Sequence, residues 1–373
     1  MIGDGLAWIA LAAWAWLLLF RGRFWLIEKT VPAPEPAQWP AVTAIIPARD
    51  EAETIGEVVR SLRAQDYPGA LHILVVDDQS RDGTGEIARA AGATVIVGTP
   101  LPAGWVGKLW ALEQGVRLAQ ESHPDADLLL FTDADIRHAP ELRRMVARLI
   151  AERLDLASLM VRLATTSLAE QAIIPAFVYF FRLLYPFRWS NDRLSKTAAG
   201  AGGYMLLRRD ALARIGGLAT IKGALIDDCT LAAAIKTSGG AIRLDLADET
   251  ESLRPYGWDG LWRMIVRSAY TQLRHSPLLL AGTVIGLSLG FLVPPVMTIV
   301  SGLSCAPAWC AWLLMALSYL PMLRFYRRSP LWAPALPLVA LFYLGATIDS
   351  ARRHWRGRGG EWKGRVQAPG SAA

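Results

Sequence analysis

Val42-Thr43-Ala44-Ile45-Ile46-Pro47-Ala48-Arg49-Asp50-Glu51 is the stretch that decides the fold. Its first five residues form a short, β-branched, largely apolar run of the kind buried on both faces of a parallel sheet. The polar residues that follow end the run. Ile55, Val58, Val59 and Leu62 then recur at helical spacing and predict an amphipathic helix. Leu71 to Val76 reads as a second strand and stops at Asp77-Asp78. Gln79 to Thr84 is a turn leading into a helix over 85–91, and Thr94 to Val97 is a third strand. A helix over 108–120 and a strand over 127–131 continue the alternation. This pattern predicts an α/β, doubly wound sheet with ligands at the strand ends.

Acids gather at those ends: Asp50 and Glu51, Asp77 and Asp78, Asp133 and Asp135. Asp133-Ala134-Asp135 closes the apolar run Leu128-Leu129-Leu130-Phe131. Carboxylates at i and i+2 of an extended chain share a face. Such a hard-oxygen site suits Mg²⁺ or Mn²⁺, with water and substrate phosphates filling the other positions. The expectation is an enzyme that acts on a diphosphate. Each acid alone could be an ordinary solvated loop residue, but their repetition at successive strand ends favours a shared site.

The composition points to a membrane. The 373 residues are 53% hydrophobic and carry a net charge of +6; the mean hydropathy is +0.28. That is too apolar for an ordinary soluble enzyme. The basic residues lie beside apolar runs, which favours an anionic membrane face over nucleic acid. Cys229, Cys305 and Cys310 are odd in number and lack metal-type spacing, so neither a disulfide framework nor a zinc site is expected.

Leu6 to Phe20 has no basic n-region and no small-residue cleavage site, so it reads as an uncleaved anchor. Arg21 and Arg23 place its end in the cytoplasm. No charge occurs from Ser276 to Leu323, room for two spanning helices, and Ser329 to Ile348 is a further uncharged run. A basic tail follows, from Arg352 to Arg365. Three C-terminal crossings would put that tail outside, against the positive-inside rule. One segment is therefore expected to enter without crossing, either around Pro294-Pro295 or around Pro334 and Pro337. The expected organisation is an anchor over 1–30, a proline-rich linker over 31–40 and a cytoplasmic domain over 41–275. Membrane segments over 276–350 and a basic tail over 351–373 complete it.

The ordered set Ala44-Ile45-Ile46-Pro47-Ala48-Arg49-Asp50-Glu51, Val75-Val76-Asp77-Asp78-Gln79-Ser80-x-Asp82-Gly83-Thr84 and Asp133-Ala134-Asp135 resembles glycosyltransferase family 2. The fold this implies is GT-A, a Rossmann-like mixed sheet, here with membrane helices at both ends. Gly200-Ala-Gly202-Gly203-Tyr204, Leu225-Ile226-Asp227-Asp228 and Arg254-Pro255-Tyr256 resemble the hopene-associated branch of that family. The resemblance implies a nucleotide-diphosphate sugar donor, a UDP-sugar foremost, and Mg²⁺ or Mn²⁺ as cofactor. It places Pro47, Arg49, Asp50, Glu51 and Asp78 on the donor nucleotide. Lys108 and Asp133 meet its diphosphate, and Asp135 with Asp133 meets the metal. Asp228 is the implied general base. Gly202 and Gly203 wall the acceptor pocket, with Asp227, Trp262 and Arg267 on the acceptor side.

The chemistry is coherent by itself. Sugar transfer leaves negative charge on the departing diphosphate, which a cation and Lys108 would stabilise. A hydroxyl nucleophile needs a base. Asp227 and Asp228 open a helix that carries Leu231, Ala232 and Ile235; its N-terminus favours ionised carboxylates, while their proximity disfavours double ionisation. The segment from Ile173 to Trp189 is aromatic, arginine-flanked and too interrupted to span, and is expected to lie on the membrane surface near a lipid acceptor; the alternative is a buried helix. Processive family members carry Gln-x-x-Arg-Trp after the base. Here the region reads Trp262-Arg263-Met264-Ile265-Val266-Arg267-Ser268, keeping at most the arginine. That favours transfer of one sugar, in a multi-pass protein of the bacterial inner membrane, over a polysaccharide synthase or a non-catalytic nucleotide-sugar-binding subunit.

Overall fold

The computed structural model describes residues 2–28, 31–357, 361–362 and 365–366. The basic tail beyond Gly357 otherwise lies outside the described residues. The chain divides into two compact units: one of 30–164, 189–254 and 362–373, the other of 1–29, 165–188 and 255–361.

The first unit is built on an eight-stranded sheet. Its strands are β1 (Val42–Ala48), β2 (Leu71–Asp77), β3 (Thr94–Val97), β4 (Leu128–Phe131), β5 (Ile136–Arg137), β6 (Leu156–Arg162), β7 (Met205–Arg208) and β8 (Ile242–Ser252). Their order is β3-β2-β1-β4-β7-β6-β8-β5. β1 pairs parallel with both β2 and β4, and β2 pairs parallel with β3. β7 runs antiparallel between β4 and β6. The chain winds outward from β1 through β2 and β3 and then returns to β4. The β1–β4 boundary is thus the switch point, where ligands enter open α/β sheets.

The apolar runs are explained by cover on both faces. Val42, Ala44, Ile46 and Ala48 pack into one core with Val58, Val59 and Leu62 of helix Ile55–Arg63. Ile45, Leu74 and Val76 pack into another with Leu109 and Leu112 of helix Gly107–Ser122 and Leu231 and Ile235 of helix Asp227–Thr237. β1 is buried throughout. Pro47, with no N–H, lies beyond Ile45↔Phe131, the last β1–β4 pair, so it interrupts no bond to β4.

The second unit is helical. Among the described residues, four helical stretches are long and apolar enough to cross a membrane: Gly3–Phe20, Pro277–Ser301, Ala306–Phe325 and Pro330–Trp355. Neither proline region is a break. The helix that starts at Pro277 passes through a wide turn at Ser288–Leu292 before Pro294 and Pro295, and that turn absorbs the missing N–H groups. Trp14 Nε1 donates to the Gly290 carbonyl inside it at 2.7 Å. Pro334 lies in a 3₁₀ segment, Pro330–Ala335, and Pro337 in the first turn of Leu336–Trp355, where proline is tolerated.

One sequence expectation changes and one alternative is decided. The continuous 41–275 domain is interrupted, because 165–188 and 255–275 join the helical unit. Of the two readings of the segment after Ser167, membrane surface or buried helix, the structure has the second: a largely buried helix, Leu168–Leu184, started by a Ser167–Glu170 capping box. Ile173, Ile174, Ala176, Val178 and Tyr179 are all buried. Apolar residues on every side mark a helix enclosed by protein, and Tyr179 hydrogen-bonds Ser318 at 2.7 Å.

Candidate active site

The loops after β1 and β2 are laced together. Asp50 adopts φ 51°, a left-handed conformation that Asp tolerates better than most residues. Its N–H donates to Ser80 Oγ at 3.0 Å, and its Oδ1 accepts from Arg81 N–H at 3.0 Å. Glu51 N–H donates to Thr84 Oγ1 at 2.9 Å, and Ala52 N–H to Asp82 Oδ2 at 3.0 Å. Arg49 Nη1 donates to the Asp78 carbonyl at 2.6 Å, with the buried Asp78 carboxylate 3.5 Å away. Pro47, Arg49, Asp50, Glu51 and Asp78 therefore form one rigid corner at the switch point.

Lys108 is the hub of the opposite side. It lies in the first turn of helix Gly107–Ser122, where the helix dipole disfavours a cation. Its Nζ is 2.7 Å from Asp133 Oδ1 and 3.2 Å from Asp227 Oδ2. Burial works against the charge, but Asp133, Asp227 and Asp228 outweigh it and push its pKa up, so Lys108 is a fixed ammonium.

Asp228 is held differently. Its Oδ2 accepts from Gly202 N–H at 2.9 Å and its Oδ1 from Cys229 N–H at 2.7 Å. Burial, reinforced by Asp227 and opposed by Lys108, pushes its pKa up to about 6. The helix N-terminus was expected to favour the ionised form; burial and the neighbouring carboxylate outweigh it. Lys108, Thr132, Gly202 and Asp227 line one cleft with Phe131 and Leu231.

The two glycines differ. A Cβ on Gly202 would come within 3.0 Å of Lys108 Nζ and 3.6 Å of Asp228 Oδ2, so a side chain there would push the Lys108 ammonium aside by a few tenths of an ångström. Gly203 faces inward: a Cβ there would lie 2.8 Å from Val161. Its carbonyl accepts from Thr132 Oγ1 at 2.8 Å, fixing the residue before Asp133. Behind it, burial drives the pKa of His138 down to about 3. The neutral ring lies 3.0 Å from Thr132 Oγ1. Trp262 and Arg267 belong to the helical unit; the Trp262 indole donates to Asp349 Oδ2 at 3.0 Å, and Arg267 is exposed.

Asp133 and Asp135 lie past the end of β4, in a turn, so strand alternation does not set their directions. Asp133 meets Lys108, while Asp135 is buried and meets Arg254 Nε at 3.0 Å and Ser252 Oγ at 3.2 Å. Arg254 also pairs with Glu51. Among the described residues no three His, Cys, Asp or Glu side chains gather to hold a metal alone. The set present fits Mg²⁺ or Mn²⁺ in its other common mode, one or two carboxylates with phosphates and water completing the shell. Arg254 and Ser252 were missed as Asp135 partners. The available signal was their place at the end of β8, whose Ser252 pairs with Ile136 beside Asp135.

The sheet has a counterpart among solved structures, and its sequence among known families. Residues 43–216 match the family model for glycosyl transferase family 2. That stretch is thus similar to glycosyl transferase family 2 domains, and the sheet has the GT-A fold. Over 120 residues it is 36% identical to 4,4'-diaponeurosporenoate glycosyltransferase of Staphylococcus aureus (strain USA300), which is 32% of this chain and 29% of that protein. The chain therefore aligns with less than a third of the length of such curated relatives. The mannosyltransferase PcManGT from Pyrobaculum calidifontis, solved in complex with GDP-Man and Mn²⁺, superposes with a TM-score of 0.57 at 20% identity. That match covers 93% of this chain and 98% of the other, and the likeness is one of fold.

Proposed function

We propose that this protein is a membrane-bound, inverting glycosyltransferase that moves one sugar from a nucleotide-diphosphate sugar to a lipid acceptor. The observation that carries this reading is the Asp228 carboxylate, held by the Gly202 and Cys229 N–H groups within electrostatic reach of the Lys108 ammonium, which pairs with Asp133. In a single displacement, Asp228 accepts the acceptor hydroxyl proton as the oxygen bonds to the anomeric carbon. The bond to the diphosphate breaks, and its electrons leave with the phosphate oxygen. Lys108 supplies fixed positive charge for that oxygen, and its geometry needs no rearrangement when the charge develops. Asp133 and Asp135 are the residues that would hold Mg²⁺ or Mn²⁺, which when bound adds further charge stabilisation on the diphosphate. The corner of Arg49, Asp50, Glu51 and Asp78 takes the nucleoside.

The acceptor follows from the second unit. Four helices able to cross a membrane favour a substrate dissolved in lipid. The named Staphylococcus relative is a 4,4'-diaponeurosporenoate glycosyltransferase, and the hopene-associated resemblance points to an apolar acceptor. Arg21 and Arg23 after the first helix favour a cytoplasmic catalytic unit in a bacterial inner membrane. Purified protein should be incubated with a panel of nucleotide sugars and membrane lipid extract, and the products followed by mass. The reading predicts one added sugar of inverted anomeric configuration on a lipid. A ladder of products, or transfer only to soluble acceptors, would contradict it.

A further inference from the structure

Asp135 is a buried acid of the donor side, 8% exposed, and it faces a guanidinium. Arg254 Nε lies 3.0 Å from Asp135 Oδ2, and Nη2 of the same group pairs with Glu51. One arginine thus neutralises two donor-side carboxylates and occupies the side of Asp135 that faces Glu51. The backbone here is fixed. Ile136 pairs with Ser252, Leu253 N–H donates to the Asp135 carbonyl at 2.7 Å, and Arg254 N–H donates to Ser252 Oγ at 3.3 Å. Any exchange must therefore be a swing of the Arg254 side chain.

We propose that Arg254 is a positioning residue that holds the cation place at Asp135 closed until a nucleoside diphosphate arrives. This rests on the transferase reading of the same site. A dication and a guanidinium repel, and a buried carboxylate cannot hold both unless an anion lies between them. A diphosphate is such an anion. Its oxygens accept from the planar fork of a released arginine as well as from a metal. The arginine thereby couples cation binding to donor binding. Alone, the divalent ion must displace a charge-assisted pair; with the diphosphate present, both positive groups gain a partner.

The test uses Mn²⁺ itself. The full-length protein in detergent is titrated with Mn²⁺, free ion being read by electron paramagnetic resonance, first alone and then with UDP or GDP. Wild-type protein should bind Mn²⁺ weakly alone and at least about tenfold more tightly with a nucleotide that it accepts, a coupling of ordinary size. Arg254→Met should tighten Mn²⁺ binding without nucleotide by about tenfold and lose most of the coupling. Arg254→Lys keeps the charge and should stay near wild type. Adding Asp135→Ala to Arg254→Met should abolish the gain. If Arg254→Met binds Mn²⁺ no better than wild type in the absence of nucleotide, the inference is overturned. Failure of the transferase reading has a separate signature: no sugar is transferred from any donor, whatever Arg254→Met does to Mn²⁺ alone.

Discussion

Two pairs of aspartates build this site, and each pair is split. Asp133 and Asp227 share Lys108, at 2.7 Å and 3.2 Å. Their neighbours go elsewhere: Asp135 to the Arg254 guanidinium, Asp228 to the N–H groups of Gly202 and Cys229. The difference separates their chemistry. A carboxylate paired with a guanidinium can exchange that partner for another cation. A buried carboxylate crowded by Asp227 is pushed toward protonation even though Lys108 and the two N–H donors oppose the rise, which suits a group that takes up a proton near neutral pH. Lys108 couples the halves, since it touches one member of each pair.

The comparison can be broken at several points. Lys108→Met removes the shared cation and should lower kcat by roughly 10²–10³. It should also move the acid limb of the pH profile above 6, because Lys108 opposes the rise at Asp228. An unmoved limb would mean that the pairs are not coupled. Asp135→Ala should weaken Mn²⁺-supported nucleotide binding by about 10–100-fold, read by calorimetry with and without Mn²⁺; binding that stays equally Mn²⁺-dependent would remove Asp135 from the metal site. Gly202→Ala should cost about tenfold in kcat, with nucleotide affinity unchanged, since the new Cβ crowds Lys108 and Asp228 rather than the nucleoside corner. Thr132→Val, which deletes the bond to the Gly203 carbonyl, should lower stability by about 1–3 kcal/mol in thermal or denaturant unfolding.

Much of this was legible in the sequence because the relevant signals are local. The runs at Val42–Ile46, Leu71–Val76 and Leu128–Phe131 are strands since both faces of the sheet are covered, and covered strands read as unbroken apolar runs. The acids at their ends follow directly. The pairing of β7 and β6 with the parallel half was not readable, since register between distant strands leaves no local mark. Arg254 was hidden for the same reason: only the β5–β8 pairing brings residue 254 beside residue 135. The helix Leu168–Leu184 was left between two readings because an apolar, aromatic segment looks alike whether it faces lipid or protein. Gly203 shows the limit at single residues, as a glycine run gives no hint that one member faces the cleft and the next faces Val161.

The most direct measurement is the pH dependence of kcat/KM for sugar transfer by wild type and by Asp228→Asn, with nucleotide binding followed in parallel. Asp228 acts as a base only when ionised, so wild-type activity should rise with pH through about 6 and level off above it. Asp228→Asn should be slower by roughly 10²–10⁴, lack that limb, and still bind nucleotide and Mn²⁺ normally. An Asp228→Asn protein that transfers sugar at the wild-type rate, or that keeps the limb near 6, would contradict the account.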